Sequence, residues 1–287
     1  GFRMQSQQTD LGTAPVGKLL TRLAVPAITA QMVNMLYNLV DRVYIGHLPD
    51  VGTQALTGVG VCFPIIMLVS AFAALVYSGG APRASIEMGK RNNDEAERIL
   101  GNCTVLLVVV SLVLTLVLSL WSRPLLLLFG ASEATIDYAA SYMRIYALGT
   151  IFVQLALGLN AFITCQGFAK TSMLTVLIGA VLNTVLDPLF MFALNMGVQG
   201  AALATLISQA VSAIWVVCFL TGKKTILKLR PVNLRLNWKR LGPCVALGLA
   251  PFIMQSTESL IAVCFNTSLR TYGGDLAVGA MTILTSI

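Results

Sequence analysis

The sequence predicts an all-α polytopic membrane protein, and three observations carry that prediction. Apolar residues make up 56% of the chain and charged residues only 11%, against about 25% charged in an average soluble domain. Mean hydropathy is +0.81. Apolar runs of about 18 residues or more, the length that crosses a bilayer as a helix, recur along the 287 residues.

In order, spans are expected at 18–46, 55–79, 99–120, 138–167, 171–194 and 199–221, then at 241–266 and from 276 onward. The breaks between them carry turn or charge signals: LPDVGT at 48–53, MGKRNNDEAER at 88–98, FGAS at 129–132, GFAK at 167–170 and NMGV at 195–198. The polar stretch up to Lys18 and the length of the first apolar run do not read as a cleavable signal peptide.

Lys and Arg fall on alternate loops. Fifteen of the nineteen lie on the side of the N-terminus, seven of them within 223–240, so the N-terminus is expected to be cytoplasmic. The net charge of +7 is therefore a topology signal, and no nucleic-acid partner is expected. Segment 223–240 (KKTILKLRPVNLRLNWKR) is basic, partly amphipathic and broken by Pro231. Such a segment would lie along the anionic cytoplasmic leaflet. The expected organisation is a cytoplasmic tail (1–17), a six-helix lobe (18–222), a basic cytoplasmic linker (223–240) and the start of a second lobe (241–287).

The second lobe is expected to repeat the first. LAVPAITAQ at 23–31 is similar to LGLAPFIMQ at 247–255, with Pro26 answering Pro251, and the same offset of 225 places Asp41 on Asn266. ALTGV at 55–59 is similar to LAVGA at 276–280. Repeats of this kind are a recurrent plan of secondary transporters.

The candidate site starts from the acids inside apolar helices. A charge at the bilayer centre costs roughly 2.5–3.5 kcal/mol on insertion scales, so such residues tend to be functional. Asp41 sits in VNMLYNLVDRVY and Asp187 in VLNTVLDPLFMF. Asn183, one turn before Asp187, presents an amide on the same helix face as that carboxylate. Pro188 removes a backbone donor and frees the carbonyl of Thr184. Oxygen donors of this kind suit a proton or a hard cation. Plainer readings remain for both: Asp41 as an interfacial acid beside Arg42, Asp187 as an Asp–Pro helix break. Glu258, seven residues after Pro251, is a third intramembrane acid and a second candidate acidic site. Gly200, Ala204, Ser208 and Ser212 form a small-residue packing stripe, with Thr205 and Gln209 beside it facing the lobe interior. Gln31, Asn34, Tyr37, Tyr142, Gln154 and Asn160 add polar groups to the same apolar helices.

Several chemistries are excluded. The six cysteines form no CxxC pair and read as helix-packing residues, and His47 reads as a surface loop residue. GxSxG, HExxH, Walker and dinucleotide motifs are lacking, so no enzyme and no cofactor are expected. Without a nucleotide site, transport would be driven by an ion gradient, H⁺ or Na⁺.

Three strings, NLVDRVYIGH at 38–47, NTVLDPLF at 183–190 and GVQGAALAT at 197–205, together resemble the multidrug and toxic compound extrusion (MATE) family. The resemblance runs over essentially the whole chain, which is similar to roughly the N-terminal three-fifths of a member with twelve helices in two lobes. It implies export of organic, often cationic, small molecules in exchange for H⁺ or Na⁺, by a monomer in the bacterial inner membrane. It assigns the coupling site to Asp41, Asn183, Asp187 and Thr205, which would hold Na⁺ if sodium is the coupling ion. Tyr142, Tyr37, Asn34 and Asn160 are the implied substrate contacts. Another branch uses an acid in helix seven, near Glu258, but the spacing from Pro251 is shorter than in that branch. Two alternatives stay open: a flippase or exporter of a lipid-linked or peptidic precursor, and a single-lobe fragment that transports nothing.

Overall fold

The computed structural model describes residues 15–49 and 51–286, so most of the expected tail 1–17 lies outside the described residues. The described residues form nine α-helices and no strand: α1 Val16–Gly46, α2 Gly52–Gly89, α3 Asn93–Leu120, α4 Ser122–Leu128, α5 Ile136–Leu148, α6 Thr150–Cys165, α7 Ala169–Pro188, α8 Val198–Thr221 and α9 Trp238–Thr285. Six elements are long and apolar enough to cross a membrane, and the bent pair α5–α6 makes a seventh. The all-helical expectation holds, and the differences in detail have local causes.

The expected single span at 138–167 is two helices bent by 57°. Gly149 takes a bridge conformation (φ −90°, ψ 2°) there, and a Cβ on it would lie 3.1 Å from Leu206. A side chain of α8 thus packs closely against the bend.

The charged loop at 88–98 is shorter than expected, because α2 and α3 both extend into it. The turn closes with Arg91 at φ 60°, and the Asn92 side chain accepts from the Glu95 amide at 3.3 Å as the N-cap of α3. The span expected to reach residue 194 leaves α-helical geometry at Pro188 and continues as one π-helical segment, Leu189–Ala193.

The two spans expected from 241 both fall within Trp238–Thr285, which is two helices meeting at a kink. Residues 267–273 stay helical, and the break falls at Gly274, whose φ of 71° glycine adopts without strain. The seven-residue α4 is too short for a hydrophobic period to reveal.

Two apolar cores fill the bundle. One gathers Ile45, Val59, Cys62, Met143 and Ala201 near the C-terminal end of α1. The other gathers Leu100, Leu107, Phe162, Leu220 and Leu241 near the N-terminal end of α3. Outward-facing Leu112, Leu116, Val181, Val185 and Ile214 stay exposed, as a helix surface facing lipid would be. Helix α9 packs against α2, where glycines allow backbone approach. A Cβ on Gly79 would strike the Cys244 carbonyl, and one on Gly248 the Leu75 carbonyl. All six cysteines are free; Cys62, Cys103 and Cys244 are buried in packing.

Candidate functional site

Helices α1, α5, α7 and α8 bring most of the nominated polar residues together. Asp187 is fully buried and Asp41 is 8% exposed. Their carboxyl groups face each other within reach of one shared proton. Counted as carboxylates, Asp41 Oδ1 and Asp187 Oδ1 are enclosed and have no donor. Neither acid forms an ion pair among the described residues.

Arg42, next in sequence to Asp41, turns elsewhere. Its guanidinium lies 4.0 Å from the centroid of the Phe63 ring and donates to the Ser286 hydroxyl. Adjacent helical residues point about 100° apart, so the cation stacks on α2 and the acid enters the lobe.

A short relay fixes the orientation of the second acid. Asn183 Nδ2 donates to Asp187 Oδ2 at 3.3 Å, and Thr205 Oγ1 donates to Asn183 Oδ1 at 3.3 Å. The spacing of four on α7 makes the first contact. The second depends on close packing of α7 on α8, where a Cβ on Gly179 would come within 2.8 Å of Ser212 Oγ. The Tyr142 hydroxyl reaches Thr205 from α5, and Tyr37 lies beside both acids.

Five nominated residues, Asn34, Tyr37, Asn160, Asn183 and Thr205, line one internal cavity of about 80 Å³. Asp41, Asp187 and Tyr142 do not line it. Asn183 and Thr205 belong both to the cavity wall and to the acid cluster, and so connect the two. Asn160 donates to the Ser172 carbonyl at 3.3 Å, and its Oδ1 is buried without a donor. Gln209 faces this cavity as expected, and so do Ser208 and Ser212 of the packing stripe. Ser212 also bonds the Thr175 carbonyl at 3.1 Å.

Glu258 is exposed on α9 and lines none of the cavities described. Gln154 is spent on structure, donating to the Val69 carbonyl at 2.6 Å. His47 is exposed at the end of α1. Tyr146 escaped the sequence reading, although it lies one turn after Tyr142 and stacks on it with centroids 6.3 Å apart.

The class defined by this fold is the polytopic helical membrane protein with an acidic cluster enclosed between its helices. The chain belongs to the MatE family, whose model matches residues 26–189. It is 27% identical over 242 residues to an FAD transporter of Shewanella oneidensis, an alignment covering 80% of this chain and 52% of that protein. It is 22% identical over 263 residues to the multidrug export protein MepA of Staphylococcus aureus, covering 91% and 57%. Among solved structures, a ligand complex of the MATE multidrug transporter DinF-BH superposes with a TM-score of 0.91 at 37% identity, covering 98% of this chain and 62% of that one. The inward-facing form of a multidrug resistance MATE transporter of the MOP superfamily gives 0.81 at 26% identity, covering 92% and 60%. These relatives are transporters, not enzymes, and the chain spans about half the length of the curated ones.

Proposed function

We propose that this chain supplies the coupling lobe of a proton-driven exporter of organic cations, with Asp41, Asn183, Asp187 and Thr205 as its coupling site. The observation that carries the reading is the facing pair of enclosed carboxyl groups, neither of which forms an ion pair among the described residues. One proton between them supplies the missing donor and lowers the charge of a cluster that low dielectric makes costly. Without it, two negative charges face each other and favour a cationic guest.

The same geometry favours H⁺ over Na⁺. A sodium ion prefers several oxygen ligands, yet Asn183 Oδ1 is engaged by Thr205, and the Asn183 amide turns a donor toward Asp187. A sodium ion there would have to share Asn183 Oδ1 with the Thr205 hydroxyl.

Substrate would enter beside Asn34, Tyr37 and Asn160. A cavity of about 80 Å³ is smaller than the roughly 300–1,000 Å³ of drug-sized sites, so loading requires α1 and α7 to separate. The FAD transporter among the relatives raises an anionic cargo. The cavity holds no Lys or Arg, which argues against both that cargo and a lipid-linked precursor.

In the working cycle, proton uptake by the acid pair displaces the cation on one side of the membrane. Release of the proton on the other side restores cation affinity. Export itself needs alternating access between two lobes. The inner membrane as location and a cytoplasmic N-terminus complete the reading.

The test is Asp41→Asn in the full-length protein, followed by dye efflux in membrane vesicles under an imposed pH gradient. Loss of the pH-gradient dependence is expected. Wild-type, proton-dependent efflux in that variant would overturn the assignment.

A further inference from the structure

The basic linker that follows α8 is not a loose tether. Glu97 of α3 accepts from the Lys228 amide at 3.2 Å and from Arg230 Nε at 2.9 Å. Asn102 Oδ1 accepts from the Asn237 amide at 2.9 Å. Gly101 leaves the space in which Asn233 lies against α3. The surface this creates is therefore preformed.

Between α3 and the linker lies a cavity of about 290 Å³ that includes Arg98, Arg235 and Arg240 in its wall, with Asn102, Val232, Asn233 and Asn237 between them. Glu95 is shared by Arg98 (3.2 Å) and Arg240 (2.6 Å). Arg235 makes no ion pair among the described residues. One carboxylate against three guanidiniums leaves an excess of positive charge, and the α9 N-terminus adds its dipole to it.

The adjoining sequence alternates. Val232, Leu234, Leu236 and Trp238 are separated by Asn233, Arg235 and Asn237. The four apolar residues are 65%, 42%, 42% and 64% exposed, although buried neighbours such as Leu227 and Leu241 show that the lobe had apolar surface to offer. Four exposed apolar side chains, Trp among them, beside guanidiniums match a bilayer interface, where Trp and Arg both reside.

We propose that this cavity binds the phosphate headgroup of an anionic phospholipid, with Val232, Leu234, Leu236 and Trp238 seated among its acyl chains. A soluble anion would satisfy the arginines but leaves the apolar row without a role. The proposal rests on the protein being membrane-embedded, and not on the exporter reading or its coupling ion.

The test uses purified full-length protein and native mass spectrometry with phosphatidylglycerol, phosphatidylcholine and soluble glycerol phosphate. Phosphatidylglycerol should be retained over phosphatidylcholine, with glycerol phosphate binding weakly. Arg235→Gln should weaken phosphatidylglycerol binding about five-fold, the effect of one basic residue at an anionic surface. Trp238→Ala should weaken it too, and Arg144→Gln, an exposed charge outside this cavity, should not. Equal retention of the two lipids, or unchanged binding in Arg235→Gln, overturns the proposal. Tight glycerol phosphate binding that Trp238→Ala does not alter overturns it in favour of a soluble anion.

Discussion

Replacing Gln166 with Leu should detach the linker from the lobe. Gln166 is 2% exposed at the end of α6. Its Oε1 accepts from Thr225 Oγ1 at 3.0 Å, the Ile226 amide at 2.8 Å and the Leu227 amide at 3.1 Å, and its Nε2 donates to the Phe162 carbonyl at 3.0 Å. Leucine has similar bulk and can make none of these bonds. Thr225 keeps a second acceptor, the Leu227 carbonyl at 2.6 Å. The Ile226 and Leu227 amides are left without this acceptor, and Leu227 is fully buried. A buried donor without a partner costs about 1–3 kcal/mol, and the half-buried Ile226 amide less because water reaches it. The sum is about 2–4 kcal/mol. Thermal unfolding of the detergent-purified protein should show a melting point lower by several degrees, and trypsin should cut faster at Lys223, Lys224 and Lys228. Gln166→Glu keeps an acceptor for the Ile226 and Leu227 amides but loses the donor to Phe162 and places a carboxyl group at a buried position, so it should fall between wild type and Gln166→Leu. Wild-type melting and wild-type proteolysis in Gln166→Leu would refute the idea that one side chain anchors this segment.

Two further outcomes follow from the same packing. Gly79→Ala places a Cβ against the Cys244 carbonyl and should destabilise the protein, whereas Gly242→Ala has open space and gains about 1 kcal/mol of helix propensity; paired melting curves check the opposite signs. Thr205→Val removes the donor to Asn183 and should slow dye efflux about five-fold, for a bond worth about 1 kcal/mol. Thr184→Val loses only a bond to its own helix, at Ala180, and should transport at close to the wild-type rate in the same assay.

The candidate site was half legible in the sequence, and the division has a physical cause. Asp41 and Asp187 stand out because a bilayer makes each charge costly, and Asn183 joins Asp187 because a spacing of four is a property of one helix. That Asp41 meets Asp187 is a property of two helices, set by how closely α1 lies on α7. Likewise, Thr205 reaches Asn183 across the α7–α8 contact, where Gly179 lies against the Ser212 side chain. A glycine whose importance is the absence of a side chain leaves no hydrophobic period to read. The same holds for the bend at Gly149, the break at Gly274 and the seating of Asn233 on Gly101. Spans follow from composition, whereas the angles between them follow from the small residues at their contacts. A substitution at Gly179 is therefore expected to disturb the Asn183–Asp187 cluster as Thr205→Val does, although Gly179 holds no polar group. Gly179→Ala should slow dye efflux by separating α7 from α8, and Gly179→Ala combined with Ser212→Ala, which removes the hydroxyl the new Cβ would strike, should recover part of that loss. Transport that is normal in Gly179→Ala would show that the Asn183–Thr205 contact does not depend on this spacing.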